Sequence, residues 1–328
     1  MKNKLFPILL LTVLLFSCEA EFSPNAEWRE VPVVYCVLDQ DDDTSWVRVE
    51  KCYLSEGNIY AYGSVSDSIN YQPGVINVYL LAYRGGVCVD SIPFTYTVRD
   101  RQSGDFAFEA QPIYYSTATL HESDMYKLVV RRKSDGSIIC STDSIPLIIQ
   151  DNSVLVTEPA NNSMFIFKGS GGNAHCNIKW NVLRNARRYQ PIVRFYYLEN
   201  GDTNYLDLHC NSRTLDNPNA QALSVEYSRA AFLGTIKEAL KNKPADRIYL
   251  KKVDIYVTAC SEDLNAYMVS LAVNGGIEQV GEVYSNIDGG VGVFATRRTH
   301  LFKNVRADSS LVPNVGLYWY IKQLGVGF

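Results

Sequence analysis

The chain has 328 residues, with 31 Lys and Arg against 35 Asp and Glu and a formal charge of −4. No concentrated basic stretch accompanies that balance, which argues against a nucleic-acid partner. Hydrophobic residues at 47%, together with 22 tyrosines, point to packed, sheet-rich domains and exclude a largely disordered chain.

In chain order, Lys2 and Lys4 precede an apolar run from Leu5 to Phe16. That run has the length of a signal-peptide h-region and is too short to cross a bilayer as a helix. It leads into Leu15-Phe16-Ser17-Cys18, which resembles a bacterial lipobox. A signal peptide cut in the ordinary way would carry a small residue where Leu15 stands. The resemblance implies that residues 1–17 are removed, that Cys18 is lipidated, and that the acyl chains anchor the protein to a membrane. Residues 18–30 are polar and unpatterned and read as a tether.

The runs VPVVYCVLD, SWVRVEKCYL, GVINVYLLAYRGG, FTYTVRD, MYKLVVRR and SIPLII follow at short intervals, rich in β-branched and aromatic residues. They predict an immunoglobulin-like β-sandwich over residues 31–150. Within it, Asp39, Asp41, Asp43 and Glu50 have the spacing of positions one, three, five and twelve of a calcium loop. Thr44 stands where such a loop needs glycine, and both flanks read as strands. An acidic hairpin tip is the plainer account, and calcium the weaker one.

Residues 151–328 predict a second β-sandwich in tandem, so the fold class is mostly β. Trp180, a turn at Asn185-Ala186, Tyr189 and a long strand through Phe195 to Leu198 resemble the B and C strands of a fibronectin type III module. Two helices are expected as insertions. One places Phe232, Leu233, Ile236 and Leu240 on one face and stops before Pro244; the other has Ser261 as N-cap and Asn274-Gly275 as its stop. Between them RIYLKKVDIYVTAC reads as a core strand.

Chemistry is sparsely signalled. There is no G-x-S-x-G, no H-E-x-x-H, and His121, His175, His209 and His300 are dispersed, so no catalytic residue and no cofactor is nominated. His175-Cys176 and His209-Cys210 supply too few same-face ligands for zinc. Seven cysteines besides Cys18, none in C-x-x-C, read as small buried hydrophobes, with no pairing assigned. Gly290, Gly292 and Ala295 spell G-x-G-x-x-A, but a strand-like run, VFATRRTHLF, follows them where a dinucleotide turn needs a helix. The glycines therefore read as bends into a last strand.

The run from Val283 to Phe294 carries Tyr284, Ser285, Asn286, Ile287, Asp288, Gly289, Gly290, Gly292 and Phe294. Following a helix with a tyrosine and a polar linker, it resembles the C-terminal signature of an uncharacterised family of Bacteroidota outer-membrane lipoproteins. Genes of that family often lie beside TonB-dependent receptors. The resemblance implies a lipid-anchored protein of the outer membrane, facing the cell surface. It would act without catalysis as accessory subunit of a TonB-dependent receptor or another barrel. The alternative is an independent surface lipoprotein that binds glycans or adheres. Asp-Ser-Ile triplets containing Ser68, Ser91 and Ser144 resemble the acceptor of the same phylum's O-glycosylation system; the alternative is a turn followed by a strand start. Unlike such relatives, the chain continues 34 residues past Phe294. Its last stretch, GLYWYIKQLGVGF, is expected to add to a sheet edge.

Overall fold

The structure, a computed structural model, describes residues 29–53, 61, 63–100, 111–151, 155–159, 164–165, 167, 174–241, 248–274 and 282–307. The expected signal peptide, most of the tether with Cys18, and the tail 308–328 lie outside the described residues. The first half carries β1 (Pro32–Asp39), β2 (Ser45–Lys51), a short helix α1 (Ser66–Ile69), β3 (Ile76–Arg84), β4 (Val87–Pro93), β5 (Thr95–Arg99), β6 (Gln111–Ser116), β7 (Met125–Arg132), β8 (Ile138–Thr142) and β9 (Ile145–Pro146). The rest carries β10 (Val156–Glu158), β11 (Met164–Phe165), β12 (His175–Asn181), β13 (Arg188–Glu199), β14 (Asp202–His209), β15 (Arg213–Thr214), β16 (Ala222–Ser228), α2 (Arg229–Leu240), β17 (Ile248–Cys260), α3 (Glu262–Asn274), β18 (Ile287–Asp288) and β19 (Val291–Ala307). The described chain is mostly β, as its composition predicts.

Period-two alternation accounts for the strands. In β1, Val34, Cys36 and Leu38 are buried while Val33, Tyr35 and Val37 face the other way, and β3 and β13 alternate likewise. A ten-stranded sheet runs in the order β14-β13-β17-β19-β1-β2-β6-β5, with β11 and β15 off this path. Strands from both halves of the chain share it, because β1 and β19 pair in parallel with Val34 opposite Gly292. A six-stranded sheet, β18-β8-β7-β3-β4 with β9, and a three-stranded sheet, β10-β12-β16, complete the β layers.

Buried hydrophobic side chains form two clusters. The first runs from Val34 to Leu147 and also takes Ile287 and Phe294. The second begins at Ile148 and reaches Val305, so β19 threads both. In the second, Trp180 and Tyr189 are fully buried with ring centroids 5.8 Å apart. The Tyr189 hydroxyl accepts from the Leu183 amide at 2.8 Å, closing the turn in which Asn185 has φ 66°. Helix α2 starts at Ser228, whose hydroxyl caps the Ala231 amide at 3.1 Å, and buries Phe232, Ile236 and Leu240. Leu233 is only half-buried. Ser261 does precede α3 and its carbonyl accepts from Asn265, but its hydroxyl accepts from the Thr296 amide at 3.3 Å rather than capping the helix.

At the far end of β3, Arg84 donates to Asp124 through Nε at 2.6 Å and Nη2 at 3.0 Å. The guanidinium holds the Asp124 carboxyl below its ordinary range. A depressed carboxylate stabilises the fold above its unfolded pKa and loses that contribution as pH falls through the folded value. Asp124→Asn is therefore expected to lower the melting temperature at neutral pH, with the difference from the parent shrinking as pH falls below the ordinary carboxylate range. A melting series from neutral to acid pH checks this; a difference independent of pH would refute it.

Candidate functional site

The residues from Tyr284 to Phe294 form a joint between α3, the edge of the six-stranded sheet, and β1. Asn286 turns its side-chain amide onto the backbone of Phe294: Nδ2 donates to the carbonyl at 2.7 Å, and Oδ1 accepts from the amide at 2.9 Å. That reproduces the reciprocal bonds of an antiparallel strand pair. Asp263, in the first turn of α3, accepts from the Tyr284 hydroxyl at 2.8 Å and from Asn286 Nδ2 at 3.1 Å through one carboxylate oxygen. Burial, together with the hydrogen bond to Asp263, pushes the Tyr284 phenol up to about 12. Ser270 accepts from the Tyr284 amide at 3.0 Å, and Ser285 from the Ile287 amide at 3.3 Å. Ile287 and Asp288 pair with Thr142 and Ser141 as β18, which carries Ile287 into the first core.

The glycines follow from close approach. A Cβ on Gly289 would stand 2.9 Å from the Ile139 carbonyl oxygen, and one on Gly290 2.7 Å from that of Pro32. At Gly292, with φ +124°, it would lie 2.0 Å from the Val34 carbonyl oxygen. The strand that follows is β19, as read from the sequence. Asp263 was not foreseen; its only sequence signal is an acid in the first turn of a helix.

The carboxylates with calcium-loop spacing do not converge. Asp39 accepts from Arg297 Nε at 2.7 Å, and Asp41 accepts from the Thr299 amide. Glu50 stands opposite Val33, six residues along β1 from Asp39, or about 20 Å away. Among the described residues no group of three or more His, Cys, Asp or Glu is arranged to hold a metal. His175 and His209 belong to different sheets. Of the seven described cysteines, all free, only Cys52 and Cys88 are exposed.

The three Asp-Ser-Ile triplets adopt different backbones. Ser68 is half-buried in α1, Ser91 is exposed within the edge strand β4, and Ser144 is exposed between β8 and β9. Only Ser144 stands between strands and directly before a strand start.

Two surfaces were not legible in advance. On the outer face of the ten-stranded sheet, Arg194 binds Asp207 through Nε at 2.6 Å and Nη2 at 2.7 Å. Its guanidinium lies 4.1 Å from the Tyr205 ring centroid and 4.7 Å from that of Tyr256. The cross-strand register pairs Arg194 with Asp207 and Tyr196 with Tyr205, leaving Tyr205 exposed. Beside β1 and β2 an open recess of about 550 Å³ is lined by Val33, Tyr35, Arg48, Glu50, Lys51 and neighbours.

No family model matches the chain, and no curated protein matches it. Among solved structures, a chain described as "Cytokine receptor complex - Crystal form 1A" is similar at 11% identity over 80% of this chain and 94% of its own, with a TM-score of 0.24. A likeness at that score carries no argument about fold or function.

Proposed function

We propose that the protein is a lipoprotein of the outer membrane, anchored through Cys18 and facing the cell surface. It serves without catalysis as accessory subunit of a TonB-dependent receptor or another outer-membrane barrel. We read its body as an immunoglobulin-like sandwich over residues 31–150 and a fibronectin type III-like one over 151–328, from which β18 and β19 return to pair with β8 and β1 of the first. The lipobox and the Val283–Phe294 run carry the resemblance behind this reading. One observation supports scaffold over catalyst: the polar groups of that run named above bond within the chain, to Asp263, Ser270 and Phe294. The most distinctive stretch of sequence is thus spent on architecture.

The expected result is that the lipidated protein, purified from gently solubilised outer membranes, brings down a stoichiometric barrel. Recovery of the lipoprotein alone, under conditions that preserve known receptor complexes, would refute the accessory role. Intact mass of the same preparation reads the acyl chains on Cys18 and any glycan on Ser68, Ser91 or Ser144.

The exposed Tyr205 beside the paired Arg194 favours a second reading, an independent glycan-binding lipoprotein, since aromatic faces framed by fixed polar groups suit sugar rings. Glycan arrays distinguish it: selective binding lost in Tyr205→Ala supports it, and an empty array removes it.

A further inference from the structure

Of the large hydrophobic side chains exposed among the described residues, Met268, Val269, Leu271, Val273, Val283 and Val291 lie on or beside α3. From Leu264 to Asn274 this helix has no charged residue. At 100° per residue, Met268, Val269, Leu271, Ala272 and Val273 cover an arc of about 200°. An exposed helix that apolar marks a surface covered by something else.

Two contacts give its direction. Ser261, just before α3, bonds Thr296, which is level with Leu38 in the β1–β19 register. The Tyr267 ring meets the Tyr35 ring at 6.2 Å, nearer the start of β1. Helix α3 therefore runs against β1 and β19. Its last turns, about 9 Å beyond Tyr267, come level with Pro32 and Val33. Val291 is there too, opposite Val33.

This is the end at which the chain arrives from Cys18. Only ten residues separate Cys18 from Arg29 in the sequence. Charge agrees by a narrower margin. Arg29, Lys51, Arg131, Arg132 and Lys133 gather at this end with Glu30, Asp135, Glu282 and Asp288, and Arg132 bonds Glu30 at 2.9 Å. Glu50 is held by Arg48. Asp39, Asp41, Asp42 and Asp43 occupy the opposite end of the β1–β2 hairpin, where Arg297 and Arg298 offset part of their charge.

We propose that α3 lies on the bilayer, its exposed apolar side chains and those of Val283 and Val291 entering the boundary between headgroups and acyl chains. The neighbouring cations face lipid phosphates. The inference rests on the anchor reading above, which the acyl mass at Cys18 tests separately.

The test uses the full lipidated chain in vesicles of phosphatidylethanolamine and phosphatidylglycerol, with or without brominated acyl chains, which quench nearby tryptophan. The variants are Leu271→Trp and, at the opposite end, Asp42→Trp, each corrected for the four tryptophans of the parent. Val273→Trp replaces Leu271→Trp should the latter lose its circular-dichroism spectrum. The expected result is about twofold quenching of the tryptophan added on α3 and none at the hairpin tip. Equal quenching at both ends, or none on α3 in a chain whose mass shows the acyl groups, overturns the inference and leaves the anchor standing. A chain without acyl groups overturns both. Loss of a co-purifying barrel in Leu271→Trp, without quenching, would assign the face to a protein.

Discussion

Gly292→Ala is expected to cost more than about 4 kcal/mol and leave little folded protein. An alanine Cβ there would lie 2.0 Å from the Val34 carbonyl oxygen, 2.8 Å from its carbon and 2.9 Å from its nitrogen. All three are backbone atoms of β1, so no rotamer change relieves the clash. The φ of +124° adds strain of its own. Relief requires β19 to part from β1, and that parallel pair joins strands of the first half to β17, β13 and β14. The comparison is Gly136→Ala, where φ is +74° but no atom lies within 4 Å of the added Cβ, so only conformational strain of about 1 kcal/mol is expected. Urea unfolding followed by tryptophan fluorescence measures both. Equal losses would show that close approach to Val34 does not determine this position.

Local patterns were legible where one face is buried. PVVYCVLD, INVYLLAYR and RYQPIVRFYYLE alternate in sequence and in burial, and both longer helices begin and end near their predicted residues. Strand β4, VCVDSIP, gave no such signal because it is an edge strand on which only Ile92 is buried. Strand β6 opens with Gln111-Pro112, which reads as loop, yet both are buried where β6 pairs β5. The β1–β19 pair joins residues more than 250 positions apart, such as Val34 and Gly292. No local pattern encodes a partner at that distance; the glycines announced a bend into a last strand but not the strand it would lie against. The same holds for Asp263, whose role depends on a turn returning Tyr284 and Asn286 to it, and for Arg194, fixed by an acid across a hairpin. Conversely, the calcium spacing was legible and misleading. Sequence offset does not measure distance when the two ends of the motif lie at opposite ends of a hairpin.

Asn286→Asp is expected to cost about 2–4 kcal/mol at neutral pH, although it changes a single atom type. The Asn286 NH₂ donates to both the Phe294 carbonyl and the Asp263 carboxylate. A carboxylate in its place accepts only, so two acceptors would face a third, one of them charged. The new carboxyl, half-buried beside Asp263, would have a folded pKa above its unfolded value of about 3.9. A raised pKa makes the proton stabilising: the contribution is complete below the unfolded pKa and lost as pH rises through the folded one. The deficit relative to the parent is therefore largest at neutral pH and shrinks toward about pH 4, because a protonated carboxyl can donate again. Asn286→Leu loses every one of these bonds with no group to titrate, so its deficit should not vary with pH in this way. Urea unfolding of the two variants and the parent at both pH values separates the cases. If Asn286→Asp matches the parent at neutral pH, the joint between α3 and β19 does not depend on this amide. If both variants carry the same pH-independent deficit, packing rather than hydrogen-bond polarity holds it.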